Sequence, residues 1–286
     1  MDLYWTPPGG TEVGLVAPTY ILQQGWDGFD SPPAQQYSAK APYQNGSTAL
    51  GATYEPRSLS FSLSMQGASL ADLAALKRAT THLFVPDRGV GVLRWVQDDG
   101  TDWVLRCRPT RAPEYGTRGD SGRWQSVYID LLADDPFWYS ATLNQVSIAA
   151  YGGGWEFPLS FPLDLGTAGG VATCTNAGDV AAPVTITLAG PVLRPVLRNL
   201  TTGEWWGSMS LVPAGKELVI AMANGEKTVV IHDPSTGAET NAIADVLLTS
   251  DWFDLQPGVN RVAFGNSVDA HAATMTVAWY DRFLGA

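Results

Sequence analysis

The sequence predicts a mainly β chain with one short helix, folded as two β-sandwich domains. Three observations predict this. Turn formers run throughout, with 30 Gly and 19 Pro in 286 residues, a density that suits many short strands joined by turns. Apolar residues recur with period two, as a strand with one buried face requires. Finally, the stretch Tyr128–Tyr139, YIDLLADDPFWY, has the character of a unit ending. Within residues 124–132 a strand is expected with Val127, Ile129 and Leu131 on one face. Asp134, Asp135 and Pro136 then stop it, because short acids bond the local backbone and proline removes an N–H. Phe137, Trp138 and Tyr139 follow as a ring cluster, so Asp135, Pro136, Phe137, Trp138 and Tyr139 are expected to dock one domain on the next. The domains are expected at 1–143 and 144–286.

Taken in order, residues 1–50 are rich in Pro, Gly, Gln and Ser with interspersed rings, and only residues 13–22 suggest a strand or two. This segment is expected to be an arm laid on another surface. Residues 57–65 are the clearest strand: Leu59, Phe61, Leu63 and Met65 alternate with Ser58, Ser60, Ser62 and Ser64. A helix follows, with Ser69 as N-cap, Asp72 three residues on, and Leu73, Leu76, Thr80 and Leu83 at helical spacing. Pro86 and Gly89 stop it. Residues 92–97 and 102–108 form a hairpin around Asp98-Asp99-Gly100-Thr101, and the loop 109–122 leads back to the strand at 124. Residues 140–178, with Gly152-Gly153-Gly154 and Phe157–Leu163, are expected to be a linker and an extended crossing segment. Beyond them Val184, Ile186 and Leu188 alternate with threonines, hairpins turn at Thr201-Thr202-Gly203 and Asn224-Gly225, a turn at Pro257-Gly258 precedes strand 259–264, and Met275, Val277 and Trp279 mark the last strand. With no second helix in sight, this half is a β-sandwich.

Composition removes several functions. Apolar residues make up 45% and charged residues 16% of the chain. That is too apolar for disorder, and so few charges suggest that partners cover part of the surface. The formal net charge of −11 argues against gripping phosphates and against an anionic membrane surface. No stretch reaches the ~20 apolar residues of a membrane helix, and MDLYWTPPGG shows no secretion leader. Cys107 and Cys174 are expected to be reduced thiols, Cys107 buried in phase with Trp103 and Leu105.

Candidate chemistry is sparse. Gly119-Asp120-Ser121-Gly122 imitates a serine-protease nucleophile motif, and His82, Asp102 and Ser121 stand in triad order. However, His82 falls at a helix end and Arg123 stands where glycine belongs, so a Gly/Ser loop is the better reading. Arg118-Gly119-Asp120 in the same loop reads as a chance tripeptide. His82, His232 and His271 show no ligand spacing, so no metal and no cofactor are expected. Asp134 and Asp135 should point apart in their turn. Glu204, Trp205 and Trp206 are candidates for a protein interface or a glycan-stacking platform, with one of the two rings in the core because successive strand residues face opposite ways.

With both halves laid out, the chain resembles the distal tail protein family of long flexible-tailed, siphovirus-type bacteriophages. In the first half the resemblance is carried by Tyr54-Glu55-Pro56-Arg57 opening an alternating strand, the short helix, Gly89–Leu93 entering a hairpin, and Leu131–Tyr139. In the second half it is carried by Thr175–Asp179, the Pro-containing strand 182–188, Asn199–Gly203, Val212–Leu218, Leu255–Asn260 and Trp279–Leu284. The resemblance implies a tail-tube-like first domain that assembles as a homohexameric ring with a channel for DNA, and a galectin-like β-sandwich (jelly-roll) second domain outside it. It also implies a structural role at the virion tail tip after assembly in the host cytoplasm, and no enzyme. The implied partners are the tail tube protein, the tail hub or tail-tip protein, and a receptor-binding or tape-measure protein, without sequence-specific nucleic acid binding. The acidic balance would suit a channel wall that repels phosphate. The rival readings are a carbohydrate-binding protein using the second sandwich and Trp205-Trp206, and a glycan-cleaving enzyme using some pair of carboxylates.

Overall fold

The computed structural model describes residues 2–116, 123–149, 170–265 and 273–285. It divides into two compact units, residues 1–141 with 283–286, and residues 142–282.

In the first unit the alternating strand expected at 57–65 runs over Arg57–Gln66 and pairs in register along its whole length with Trp124–Ala133. The inner residues Leu59, Phe61, Leu63, Met65, Val127, Ile129 and Leu131 are all buried, and the serines between them face outward. The strand path continues on one side to Tyr20–Leu22. On the other it passes through Asp102–Pro109, Gly91–Val96 and Asp2–Thr6 to Val13–Gly14. The helix Leu70–Leu83 begins where expected, because the Ser69 hydroxyl accepts from the Asp72 N–H at 3.1 Å. It lays Leu73 and Thr80 into the core, and Thr80 pairs with the Tyr20 hydroxyl at 2.9 Å. The helix ends at Phe84, whose ring stacks on Trp5 at 5.1 Å while the Trp5 indole donates to Leu83 O.

Two expectations need correcting. Asp2–Thr6 is no part of a loose arm: it pairs with Gly91–Val96 and buries Leu3 and Trp5. Two inward residues before a Pro-Pro-Gly-Gly turn are too short a pattern to announce a strand. Likewise Asn144–Ala149, expected within a linker, pairs with all six residues of Thr274–Trp279. The glycines 152–154 and residues 157–163 lie outside the described residues, as do 117–122.

Arg57 is the polar centre of the first unit. Its guanidinium is 1% exposed and has backbone carbonyls as its hydrogen-bond partners: Pro136 at 2.7 Å, Gly28 at 2.9 Å, Phe29 at 3.3 Å, and those of Asp30 and Leu284. It lies 5.7 Å from the Trp138 ring centre. Trp138 in turn donates to Phe29 O at 3.1 Å and packs with Phe29 and Trp95. One side chain thus holds residues 28–30, the Pro136 turn and the returning C-terminal residues together. Phe283 packs edge-on against Trp103, with ring centres 4.6 Å apart.

The second unit is a two-sheet sandwich. One sheet orders Asn144–Ala149, Thr274–Trp279, Ala182–Ala189, Glu217–Ala221, Thr228–Asp233 and Ala238–Asn241. The other orders Val171–Asn176, Gly258–Gly265, Val196–Asn199 and Trp205–Gly207. Val184, Ile186, Leu188, Met275 and Val277 from the first meet Cys174, Leu197, Trp206, Val262 and Phe264 from the second. Both cysteines are free and buried; burial pushes the Cys174 thiol up to about 11 and raises Cys107 further.

Buried amides close the sandwich turns. Asn176 donates to Val180 O at 2.9 Å and Leu255 O at 3.0 Å while accepting from the Gly178 N–H at 2.9 Å. Asn199 accepts from the N–H groups of Thr201 and Thr202 and donates to Asp254 O. Asn260 accepts from Gln256 N and donates to Gln256 O and Gly258 O. Asp281 accepts from the Trp279 indole, the Ala177 N–H and the Asn144 amide. These side chains sit inside four of the motifs that set this half apart in sequence, and a buried polar group satisfied on both sides is costly to replace. Asn176→Ala should therefore lower the second unit's stability by about 2–3 kcal/mol. Urea unfolding of the variant against wild type checks this.

Candidate assembly surface

The feature of the first unit that its own fold does not use is a hairpin. Ala34–Ala39 and Thr48–Tyr54 pair antiparallel, and every one of their residues is exposed. The base is tied by Glu55 N–H to Pro33 O at 2.8 Å and by the Tyr54 ring edge-on to Phe137 at 5.4 Å. Along the arm, Tyr37 bonds Thr53, and Gln44 bonds both Ala41 N–H and the Thr48 hydroxyl. Lys40 is the sole charged residue from 34 to 54. A two-stranded ribbon with neither face buried is marginal in water, and its open edges are ready to pair with another chain. Nothing in an alternation pattern marks such a ribbon, since neither face is apolar.

The residues singled out in sequence fall in different places. Trp138 belongs to the first unit's core. Phe137 rests on Tyr54, and the Tyr139 hydroxyl donates to Asp135. Asp134 instead pairs with Arg108 at 3.1 Å, so the two adjacent acids do point apart. Trp206 is fully buried and Trp205 half-buried on the opposite face, so any stacking platform would rest on Trp205 alone. Glu204 accepts from the Thr202 hydroxyl at 2.6 Å.

For the triad imitation, His82 lies 2.8 Å from the Arg88 guanidinium and Asp102 accepts from Arg94 at 3.0 Å. Ser121 and the Arg118-Gly119-Asp120 tripeptide lie outside the described residues, as does His271. Among the described residues, no group of three or more His, Cys, Asp or Glu side chains is placed to hold a metal ion. A polar groove of about 500 Å³ over the outer sheet face includes Ser60, Ser62, Arg111, Glu114, Tyr128 and Asp130. Its two carboxylates share one cation, since Arg111 pairs with Asp130 at 2.5 Å and with Glu114 at 3.1 Å.

Residues 177–283 match the family model described as the siphovirus-type tail component, C-terminal domain. The match takes in the turns at 199–203, 212–218 and 255–260 as well as Trp279–Phe283. No curated protein matches the chain. Among solved structures, similarity extends to the phage SPP1 Dit protein, titled a paradigm of the hub adsorption apparatus in phages infecting Gram-positive hosts. It covers 98% of this chain and 99% of that one at 13% identity, with a TM-score of 0.68. It extends also to a chain of the phage P2 baseplate in its activated conformation with calcium, covering 97% and 98% at 10% identity with a TM-score of 0.60. A chain of that phage's baseplate with strontium is similar over 97% of each chain at 10% identity, with a TM-score of 0.58. The resemblance carried by the ordered motifs thus holds in both comparisons: residues 177–283 match the siphovirus-type tail component C-terminal domain, and the chain has, nearly end to end, the fold of the SPP1 Dit protein.

Proposed function

We propose that this chain is the structural subunit of a ring at the distal end of a siphovirus-type tail. Six copies join the tail tube to the tail tip through their first units, and the second units face outward. The observation that carries the reading is the full-length likeness to a hub protein, since it covers both units and their order. The exposed hairpin 34–54 supports it. A ring closes head to tail, so each copy offers one surface and receives another. A ribbon that buries nothing on its own chain is suited to lie on its neighbour. The tail tube protein on one side and a tail-tip protein on the other are the neighbours this position requires, and a receptor-binding or tape-measure protein fits the outer unit or the channel. The role is structural, as it is in the hub and baseplate proteins of this fold.

A central opening would pass DNA. Residues 1–141 hold 15 Asp and Glu against 11 Lys and Arg, and residues 142–286 hold 13 against six. The ring-forming half therefore carries the smaller share of the net negative charge, and a phosphate-repelling wall depends on where its acids face. The test of the ring is mass. Light scattering or native mass spectrometry of the purified protein should find a species of six times 30.6 kDa, alone or on addition of tail tube protein. A monomer under both conditions rejects the ring.

A further inference from the structure

We propose that Asn45-Gly46, at the tip of the exposed hairpin, is a site of spontaneous covalent modification in the free chain, with water as the only co-reactant. The inference does not depend on the ring. The Gly46 backbone nitrogen, losing its proton to base, attacks the Asn45 side-chain carbonyl carbon. The bond from that carbon to the side-chain nitrogen breaks, and ammonia leaves after taking up a proton. A five-membered succinimide then joins side chain to backbone. Water adds to one of its carbonyls and opens the ring. Attack at the side-chain carbonyl gives aspartate, and attack at the main-chain carbonyl gives isoaspartate. The sum is asparagine plus water to a carboxylic acid plus ammonia, with no change of oxidation state.

The local structure leaves this step unopposed. Ala39 pairs with Thr48, so residues 40–47 form the loop, and Asn45, Gly46 and Ser47 are all exposed. Glycine has no Cβ to shield its nitrogen from the preceding side chain, and a Cβ built on Gly46 would meet no atom within 4 Å. The loop's bonds are made by Gln44, beside the pair. Its N–H donates to Ala41 O at 3.1 Å, its side-chain oxygen accepts from the Ala41 N–H at 2.9 Å, and its amide donates to the Thr48 hydroxyl at 3.1 Å. Among the described residues, no backbone hydrogen bond closes a turn over Asn45-Gly46.

The second Asn-Gly pair supplies the contrast within the same chain. Asn224-Gly225 is exposed too, so exposure does not separate the two. Its turn, however, is closed by the Glu226 N–H on Ala223 O at 3.0 Å, and it joins Glu217–Ala221 to Thr228–Asp233, which pair in register. Bringing the Gly225 nitrogen against the Asn224 side chain rotates the backbone inside that turn and breaks the closing bond. Losing one such bond slows the step about fivefold. At Asn45 no such bond has to break. The product matters because Lys40 is the sole charged residue from 34 to 54. A carboxylate at residue 45 cancels it, and isoaspartate also lengthens the main chain by a methylene. The ribbon's net charge and the geometry of its tip thus change with the age of the free chain.

Peptide mapping by mass spectrometry reads the reaction in the whole protein. The purified chain, kept dilute, is aged in mildly alkaline buffer. The peptides holding residues 45 and 224 are followed as amide gives way to acid, a gain of one dalton. The proposal expects the acid at residue 45 to accumulate about fivefold faster than at 224, to elute as separate aspartate and isoaspartate peptides, and to form faster as pH rises. Asn45→Gln, whose longer side chain would have to close a six-membered ring, should keep its amide and release correspondingly less ammonia. The hairpin places no residue in either core, so this variant folds. An Asn45 amide that stays intact, equal rates at the two pairs, or ammonia release unchanged in Asn45→Gln overturns the proposal.

Discussion

Arg57→Met should destabilise the first unit by about 3–5 kcal/mol, the range for breaking a buried, bonded charge site. In a unit of this size that is roughly 10 °C in melting temperature. The cause is not the lost charge but the carbonyls left behind: those of residues 28–30, Pro136 and Leu284 point at the guanidinium. Arg57→Lys should fare little better, because a single ammonium cannot reach three segments with the planar fork that arginine supplies. Calorimetry separates the effect, since two units should give separate transitions and only the first should move. Burial pushes the Arg57 pKa down to about 10, with Asp30 opposing. A base depressed in the folded state binds fewer protons there than in the unfolded chain only as pH rises above that value. Stability linked to Arg57 therefore changes between about pH 10 and its ordinary range and is flat below. The deficit of Arg57→Met should accordingly be the same at pH 6 as at pH 8. Melting within about 2 °C of wild type for either variant would show that the carbonyls are satisfied by water and that the Arg57 guanidinium does not hold these segments together.

Replacing residues 36–52 with a two-residue turn should leave both units folded and abolish assembly. The hairpin places no residue in either core, so its removal should change the first unit's melting by no more than about 2 °C, as for surface changes away from core, caps and networks. Tyr54, which anchors the base on Phe137, is kept. Light scattering of the shortened protein beside wild type reads the result. A shortened chain that still forms the full-length oligomer would assign the ring contact to another surface, while a shortened chain that unfolds would show the hairpin to be structural.

How much of this was legible follows from burial. Arg57–Gln66, Trp124–Ala133 and Ala182–Ala189 were readable because one face of each is in a core, so selection for burial writes period-two alternation into the sequence. The helix was readable from its Ser69 cap. Asp2–Thr6 buries only Leu3 and Trp5, and Asn144–Ala149 only half-buries Val146 and Ile148, too few to separate a strand from chance. The hairpin 34–54 has no buried face and so no pattern. Its signature is negative: many rings and amides with almost no charge. Arg57 looks like any arginine at a strand start, and only the structure reveals that Leu284, 227 residues further along the chain, meets it. Around Met209 the alternation is present but its phase is inverted, with Ser208 and Ser210 buried and Met209 and Leu211 exposed, and sequence alone would place Met209 and Leu211 inside. The buried asparagines, by contrast, sit in motifs that sequence did single out, although their role as turn clips needed coordinates.

Electron cryomicroscopy of the assembled tail tip tests the central claim most directly. The account predicts six copies in one ring at the junction of tube and tip, each hairpin 34–54 lying on the adjacent copy and the 142–282 units on the outside. A single copy at that position, or a ring whose hairpins project untouched into solvent, would contradict it.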